Sequence, residues 1–233
     1  MRALPTLLAM LLLVWPAAAL DLLPTTLQLP AEGGQGELWL YNPGPGRWQG
    51  RVQILSWEQQ TDAEVLRPTD QVLASPTQLD IPPGTRQRIW LLPRQPTPAV
   101  GEQAYRVVLA PTTPGLQRYS LPLFRGHATP MTQPRLHAGI EPGQSHTFLR
   151  LSNTGALHAR LNDLAYITSD GRRTLLLPGL AGYLLAGRER RWALPAHADG
   201  YAGGHFQARL QDGRVVDLAA PDPAIAASAP SGL

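Results

Sequence analysis

Glycine and proline punctuate this chain so often that it has little room for long helices. There are 22 Gly and 24 Pro in 233 residues, scattered between short apolar runs. Together they make up about a fifth of the chain, below the level that signals disorder. Short runs broken by turn-formers predict many short strands. The side chains agree, because the runs alternate with the period of two expected of half-buried strands.

From residue 23 onward the pattern reads as strand after strand. Leu23 to Leu29 is a first strand ending at Pro30, and Glu37 to Asn42 a second. Asn42-Pro43-Gly44-Pro45-Gly46 turns the chain into a third, Trp48 to Trp57, with Val52, Ile54 and Ser56 on one face. Glu58 to Ser75 reads as a polar loop with short edge strands. Thr77 to Ile81, Arg86 to Leu92, Ala104 to Ala110 and Leu116 to Phe124 follow. In the last two, Tyr105, Val107 and Leu109 share one face, as do Tyr119, Leu121 and Leu123. About seven strands in roughly a hundred residues match the rhythm of an immunoglobulin-like sandwich. The chain has no cysteine, so an antibody-type domain with its disulfide is excluded.

A second series begins near Arg135, after a small, polar stretch from 127 to 134 that reads as a linker. Leu149 and Leu151 alternate with polar residues, as do Leu157, Ala159 and Leu161; Asp212-Gly213 is a hairpin signal. The fold class read from this pattern is all-β, two immunoglobulin-like β-sandwich domains in tandem, spanning 20–126 and 135–220. Residues 221–233 are Ala, Pro and Ser-rich and read as a disordered tail. Residues 1–19 carry Arg2, an apolar run from Leu7 to Val14 and the small residues Ala17 to Ala19, the layout of a cleaved secretory signal peptide. The expectation is export without membrane insertion.

Net charge is +3, and removal of Arg2 with the leader leaves 3 − 1 = +2. All the cations are arginine, spread along the chain and not gathered into the dense stripe of a nucleic-acid footprint. None of the six histidines sits at metal-ligand spacing, and each is expected to be exposed or incidental. There is no GxSxG elbow, and Gly33-Gly34-Gln35-Gly36 lacks the Lys-Ser/Thr pair of a phosphate loop. The expectation is a protein that performs no chemistry and takes no cofactor and no metal.

Several motifs occur in an informative order: Leu38-Trp39-Leu40-Tyr41-Asn42; Val52-Gln53-Ile54-Leu55-Ser56-Trp57; Ile81-Pro82-Pro83-Gly84 with Arg86-Gln87-Arg88-Ile89; Glu102-Gln103-Ala104-Tyr105-Arg106; and Arg118-Tyr119-Ser120-Leu121-Pro122-Leu123-Phe124. In this order the chain resembles the PapD-like periplasmic chaperones of the chaperone–usher pilus pathway, with its last motif closest to the archaic, Csu-type branch. The resemblance implies an L-shaped pair of sandwiches in the periplasm. It also implies partners: pilin or fimbrial subunits, which are sandwiches lacking a strand, and an outer-membrane usher. The free form can associate with itself.

By the same resemblance, Tyr119, Leu121 and Leu123 are the donor residues that fill the subunit's groove. A one-residue slip would instead turn Arg118, Ser120, Pro122 and Phe124 outward. The family's carboxylate-anchoring Arg and Lys are missing, since Thr26 stands at the first-strand position and the chain has no lysine. Arg106, Arg118 and Arg125 are the candidate replacements, because a guanidinium fork suits a carboxylate. The alternative reading is a secreted structural or adhesin-like sandwich of a surface assembly.

Overall fold

The computed structural model describes residues 19–30, 34–95, 101–126, 133–143 and 146–218. The expected signal peptide, most of the expected linker and the expected tail lie outside the described residues. Every regular element among the described residues is a strand, and no helix there is long and apolar enough to cross a membrane.

The first sandwich is built from two sheets. One has the order β1 (Asp21–Leu23), β3 (Gly36–Tyr41), β8 (Arg86–Pro93), β6 (Val72–Ser75). The other has the order β2 (Leu27–Leu29), β10 (Tyr119–Arg125), β9 (Gln103–Pro111), β4 (Trp48–Gln59), β5 (Glu64–Pro68), with β7 (Gln78–Ile81) also paired to β4. The inward set of each strand meets in one core: Leu38, Leu40, Val52, Ile54, Ile89, Leu91, Tyr105, Val107 and Leu109. Tyr105, Val107 and Leu109 are the set that alternation assigned.

Two features differ from the sequence expectation. Leu23 to Leu29 is not one strand. Pro24 has no N–H for a ladder bond, and the chain bends at Thr25 and Thr26, so β1 joins one sheet and β2 the other. The third strand also runs on to Gln59, two residues past Trp57. On that strand Gly50 is held by a close approach: a Cβ there would sit 2.4 Å from the Trp48 ring and 2.6 Å from the Ala110 carbonyl.

The second sandwich pairs β11 (Leu136–Pro142), β12 (Thr147–Asn153) and β15 (Glu189–Ala193) against β14 (Arg173–Leu184), β13 (Ala159–Ile167), β16 (His205–Arg209) and β17 (Val215–Leu218). Its core holds Leu149, Leu151, Ala159, Leu161, Tyr166 and Leu184. The long β14 was not legible, because Pro178, Gly179 and Gly182 interrupt its pattern. It keeps its pairing to β13 through register shifts, where Gly179 takes φ +67° and its N–H donates to Asp163 Oδ1 at 2.9 Å.

Both sandwiches end their second long strand with the same device. Asn42 is fully buried, its amide donating to the carbonyls of Gly46 and Ile81 while its oxygen accepts from Gly44 N–H. Asn153 does the same toward Leu157, Leu184, Leu185 and Gly155. Each asparagine satisfies turn and strand backbone groups that would otherwise be buried unpaired.

Candidate subunit-binding strand

β10 pairs with β9 along its whole length, from Tyr119↔Leu109 to Arg125↔Gln103. On its other side β2 covers only Leu123, Phe124 and Arg125. Among the described residues no strand pairs the outer edge of Tyr119 to Pro122. The cause is the bend at Pro24: the chain segment that would have continued β2 upward is β1, in the opposite sheet. A half-open edge strand results. Pro122 suits it, because edge strands tolerate a residue without an N–H.

Tyr119, Leu121 and Leu123 share one face, as alternation expects, and that face turns toward the first core. Their environments differ. Leu123 is fully buried, Leu121 is 8% exposed, and Tyr119 is half-buried against the core with its hydroxyl accepting from Leu20 N–H at 2.6 Å. Leu22 and Leu116 are likewise only partly buried beside that core. The opposite face carries Pro122 and Phe124. Phe124 is fully buried, because the second sandwich lies against it.

That contact is an aromatic cluster of Trp57 and Phe124 with Tyr183 and Leu185. His158 stacks on Phe124 with ring centroids 3.4 Å apart. It also bonds through Nδ1 to Glu102 Oε1 at 2.9 Å, and its N–H donates to Glu102 Oε2 at 2.6 Å. The expectation of an exposed or incidental histidine is therefore wrong for His158, which is 6% exposed and cements the two sandwiches. Gln59, 2% exposed, acts in the same interface as a backbone substitute: its amide donates to Tyr183 O and accepts from Leu185 N–H, each at 2.8 Å. Beyond it, the β4–β5 turn lies along β15. Arg191 N–H donates to Thr61 O, the Arg191 guanidinium grips Asp62, and Thr61 Oγ1 donates to Glu189.

The three candidate anchor arginines are not brought together. Arg106 lies over the Trp57 ring, 3.6 Å from its centroid, and pairs with Glu64, which also receives Arg190 from the second sandwich at 3.1 Å. Burial draws the Arg106 guanidinium below its ordinary pKa, and the Glu64 charge opposes that. Arg125 is 2% exposed and donates to the Gln95 carbonyl. Arg118 is exposed and precedes β10 at the far end of the open edge.

Sequence reasoning missed Gln59, Glu102 and Tyr183. Gln59 was within reach, since the buried alternation of β4 continues past Trp57. The Glu102–His158 pair spans 56 residues and carries no local signal.

Two tandem sandwiches with a half-open last strand in the first define the fold and site. No family model matches the chain, and no curated protein matches it. Solved structures do. Over 88% of this chain and 100% of that one, it superposes with a TM-score of 0.72 at 19% identity on a chain of the CsuC–CsuE chaperone–tip adhesion subunit pre-assembly complex from archaic chaperone–usher Csu pili of Acinetobacter baumannii. It covers the Pseudomonas aeruginosa CupB2 chaperone fully with 85% of its own length, at a TM-score of 0.60 and 12% identity. The E. coli chaperone DraB matches with a TM-score of 0.59 at 13% identity, over 87% of this chain and 97% of that one. The fold is that of the chaperone–usher pilus chaperones.

Proposed function

We propose that the chain is a periplasmic chaperone that binds pilus subunits by lending them a β-strand and delivers them to an outer-membrane usher. The observation that carries this reading is the half-open edge of β10 beside a partly buried apolar seam. A sandwich missing one strand has unpaired backbone edges and an exposed groove, both of which invite aggregation. The free edge at Tyr119 to Pro122 offers the backbone partners, and the side chains along it offer the plug.

Of the three donor residues, Leu123 is committed to the chaperone's own core and flanked by strands on both sides. The donor role falls on Tyr119 and Leu121. Arg106 and Arg125 already have acceptors, and Arg118 is free but sits at the outer end of the edge.

Co-expression with a small exported subunit encoded beside this chain tests the reading. The expected result is a one-to-one complex recovered from the periplasm. Tyr119→Arg should abolish that complex while leaving far-UV circular dichroism and thermal melting close to the wild type. A lone monomer, with each neighbour soluble without it, would return the chain to the structural-protein reading.

A further inference from the structure

Chain ends usually fray into solvent. In this protein the residue that follows the expected leader belongs to a core. Leu20 is 5% exposed and packs in the first sandwich, whereas Ala19 before it is exposed. The pairing of β1 explains the burial. Leu22 lies across from the fully buried Leu40, and Leu20, two residues earlier, falls on the same inward face. The two leucines reach from the edge of one sheet toward the other, on the side where β2 leaves the first half of β10 uncovered. There the Leu20 nitrogen donates to the Tyr119 hydroxyl at 2.6 Å. Tyr119, Leu116 and Leu22 are all partly buried against the same core.

The chemistry of that nitrogen changes when the leader is removed. Ala17, Ala18 and Ala19 supply the small residues of a leader-peptidase site. Hydrolysis of the Ala19–Leu20 peptide bond consumes a water, leaves the new carboxylate on Ala19 and turns the Leu20 amide nitrogen into an α-ammonium. A cation at a buried residue needs an acceptor, and the Tyr119 hydroxyl oxygen is already in place as one. A hydrogen bond from an ionised donor is roughly twice as strong as a neutral one. Cleavage therefore tightens a contact that ties the chain end to the open edge.

We propose that cleavage before Leu20 arms a latch: the new N-terminus holds Tyr119 against the chaperone's own core, and a captured subunit strand must release it. The proposal rests on the strand-lending reading, in which Tyr119 is a donor residue, and adds an autoinhibitory contact to it. For the Tyr119 ring to enter a subunit's groove it has to leave the seam, and its hydroxyl then parts from the Leu20 ammonium. The strength of the latch is subtracted from the affinity for the subunit. In return the free chaperone keeps its apolar plug covered, which lowers the hazard of an open edge.

The chain has no lysine, so the α-amine is the only primary amine of the mature protein. An amine-specific acylating reagent therefore reads the latch directly. Intact mass should place the mature N-terminus at Leu20. In the free wild type, acylation should be about tenfold slower than in Tyr119→Phe, which keeps the ring and lacks the hydroxyl; tenfold is the worth of one charge-assisted hydrogen bond. Leu20→Ala keeps the amine, shortens its apolar cover and should also label faster. Both variants should melt close to the wild type, so that faster labelling reports the latch and not unfolding. The strand probe is an extended peptide of alternating valine and threonine, acetylated at its amino end and carrying a dye at the other. Its binding is followed by fluorescence anisotropy. At saturation it should raise the wild-type acylation rate to that of Tyr119→Phe, and Tyr119→Phe should bind it about tenfold more tightly than the wild type.

A mature chain that starts at another residue overturns the proposal, as do equal acylation rates in the free wild type and Tyr119→Phe. If the peptide binds and the wild type still labels slowly, the proposal fails and strand lending stands. If the peptide does not bind, the strand-lending reading fails and the proposal with it.

Discussion

The two halves of β10 differ by one neighbour. From Leu123 to Arg125 the strand has β9 on one side and β2 on the other, and every side chain is buried. From Tyr119 to Pro122 it has β9 alone among the described residues, Ser120 is exposed and Tyr119 is half-buried. The same strand thus changes from core element to open edge within a few residues. The switch is not made by β10's own pattern, since Tyr119, Leu121 and Leu123 run on one face through both halves. It is made by the bend at Pro24 to Thr26, which sends the preceding strand to the opposite sheet. A free edge is normally a liability. Here it is confined to a short segment backed by a rigid core, which presets the backbone for pairing and lowers the ordering cost of binding.

The sharpest way to break this comparison is to place one charge in each half. Leu123→Asp puts a carboxylate in a fully enclosed site and should cost more than about 3 kcal/mol, a large share of an ordinary domain's stability. Tyr119→Asp should leave the fold intact and remove subunit capture. Urea unfolding and periplasmic co-purification read the two effects, and equal loss of stability in both variants would mean that β10 is a plain core strand along its length.

A second change weakens the cover itself. Leu29 is 1% exposed and sits on β2, beside the closed half. Leu29→Ala should lose about 2–5 kcal/mol by cavity formation, and hydrogen exchange should speed up at Leu123 to Arg125 more than at Tyr119 to Leu121. Uniform acceleration along β10 would show that β2 does not set the difference.

The interface behind Phe124 offers a smaller perturbation. Gln59→Leu leaves Tyr183 O and Leu185 N–H without their partner, and two unsatisfied buried groups should cost about 2 kcal/mol or more. The expected loss is in the contact between sandwiches, so small-angle scattering should broaden while the first sandwich's own core stays intact.

How much of this was readable beforehand follows the range of the interactions. That Tyr119, Leu121 and Leu123 share one face of β10 was legible because alternation is local; that this face turns to the chain's own core was not. The core residues Tyr105, Val107 and Leu109 were legible for the same reason. The open edge was not, since it depends on which sheet each half of Leu23 to Leu29 joins, a choice made by pairing partners far along the chain. Pro24 was the only local hint. The anchor candidates Arg106, Arg118 and Arg125 were chosen by closeness in sequence to the last strands, and sequence closeness does not reveal that Glu64 and the Gln95 carbonyl already engage two of them.

The mildest test uses pH on the outermost contact between the sandwiches. The Arg191 guanidinium hydrogen-bonds to Asp62 and holds its carboxyl below the usual range, against an opposing effect of desolvation. A depressed native pKa contributes stability that is complete above the unfolded value and is lost as pH falls through the folded one. The contact should therefore hold at neutral pH and weaken below about pH 4. Asp62 is fully exposed, so the effect on global melting should be slight. It should show instead as faster exchange at the Arg191 amide, which donates to Thr61 O at 3.0 Å. Asp62→Asn should already show that faster exchange at neutral pH and lose its further rise in acid. Acid-induced exchange that persists unchanged in Asp62→Asn would assign the loosening to another carboxylate, with Glu189 the nearest bridge between the same two elements.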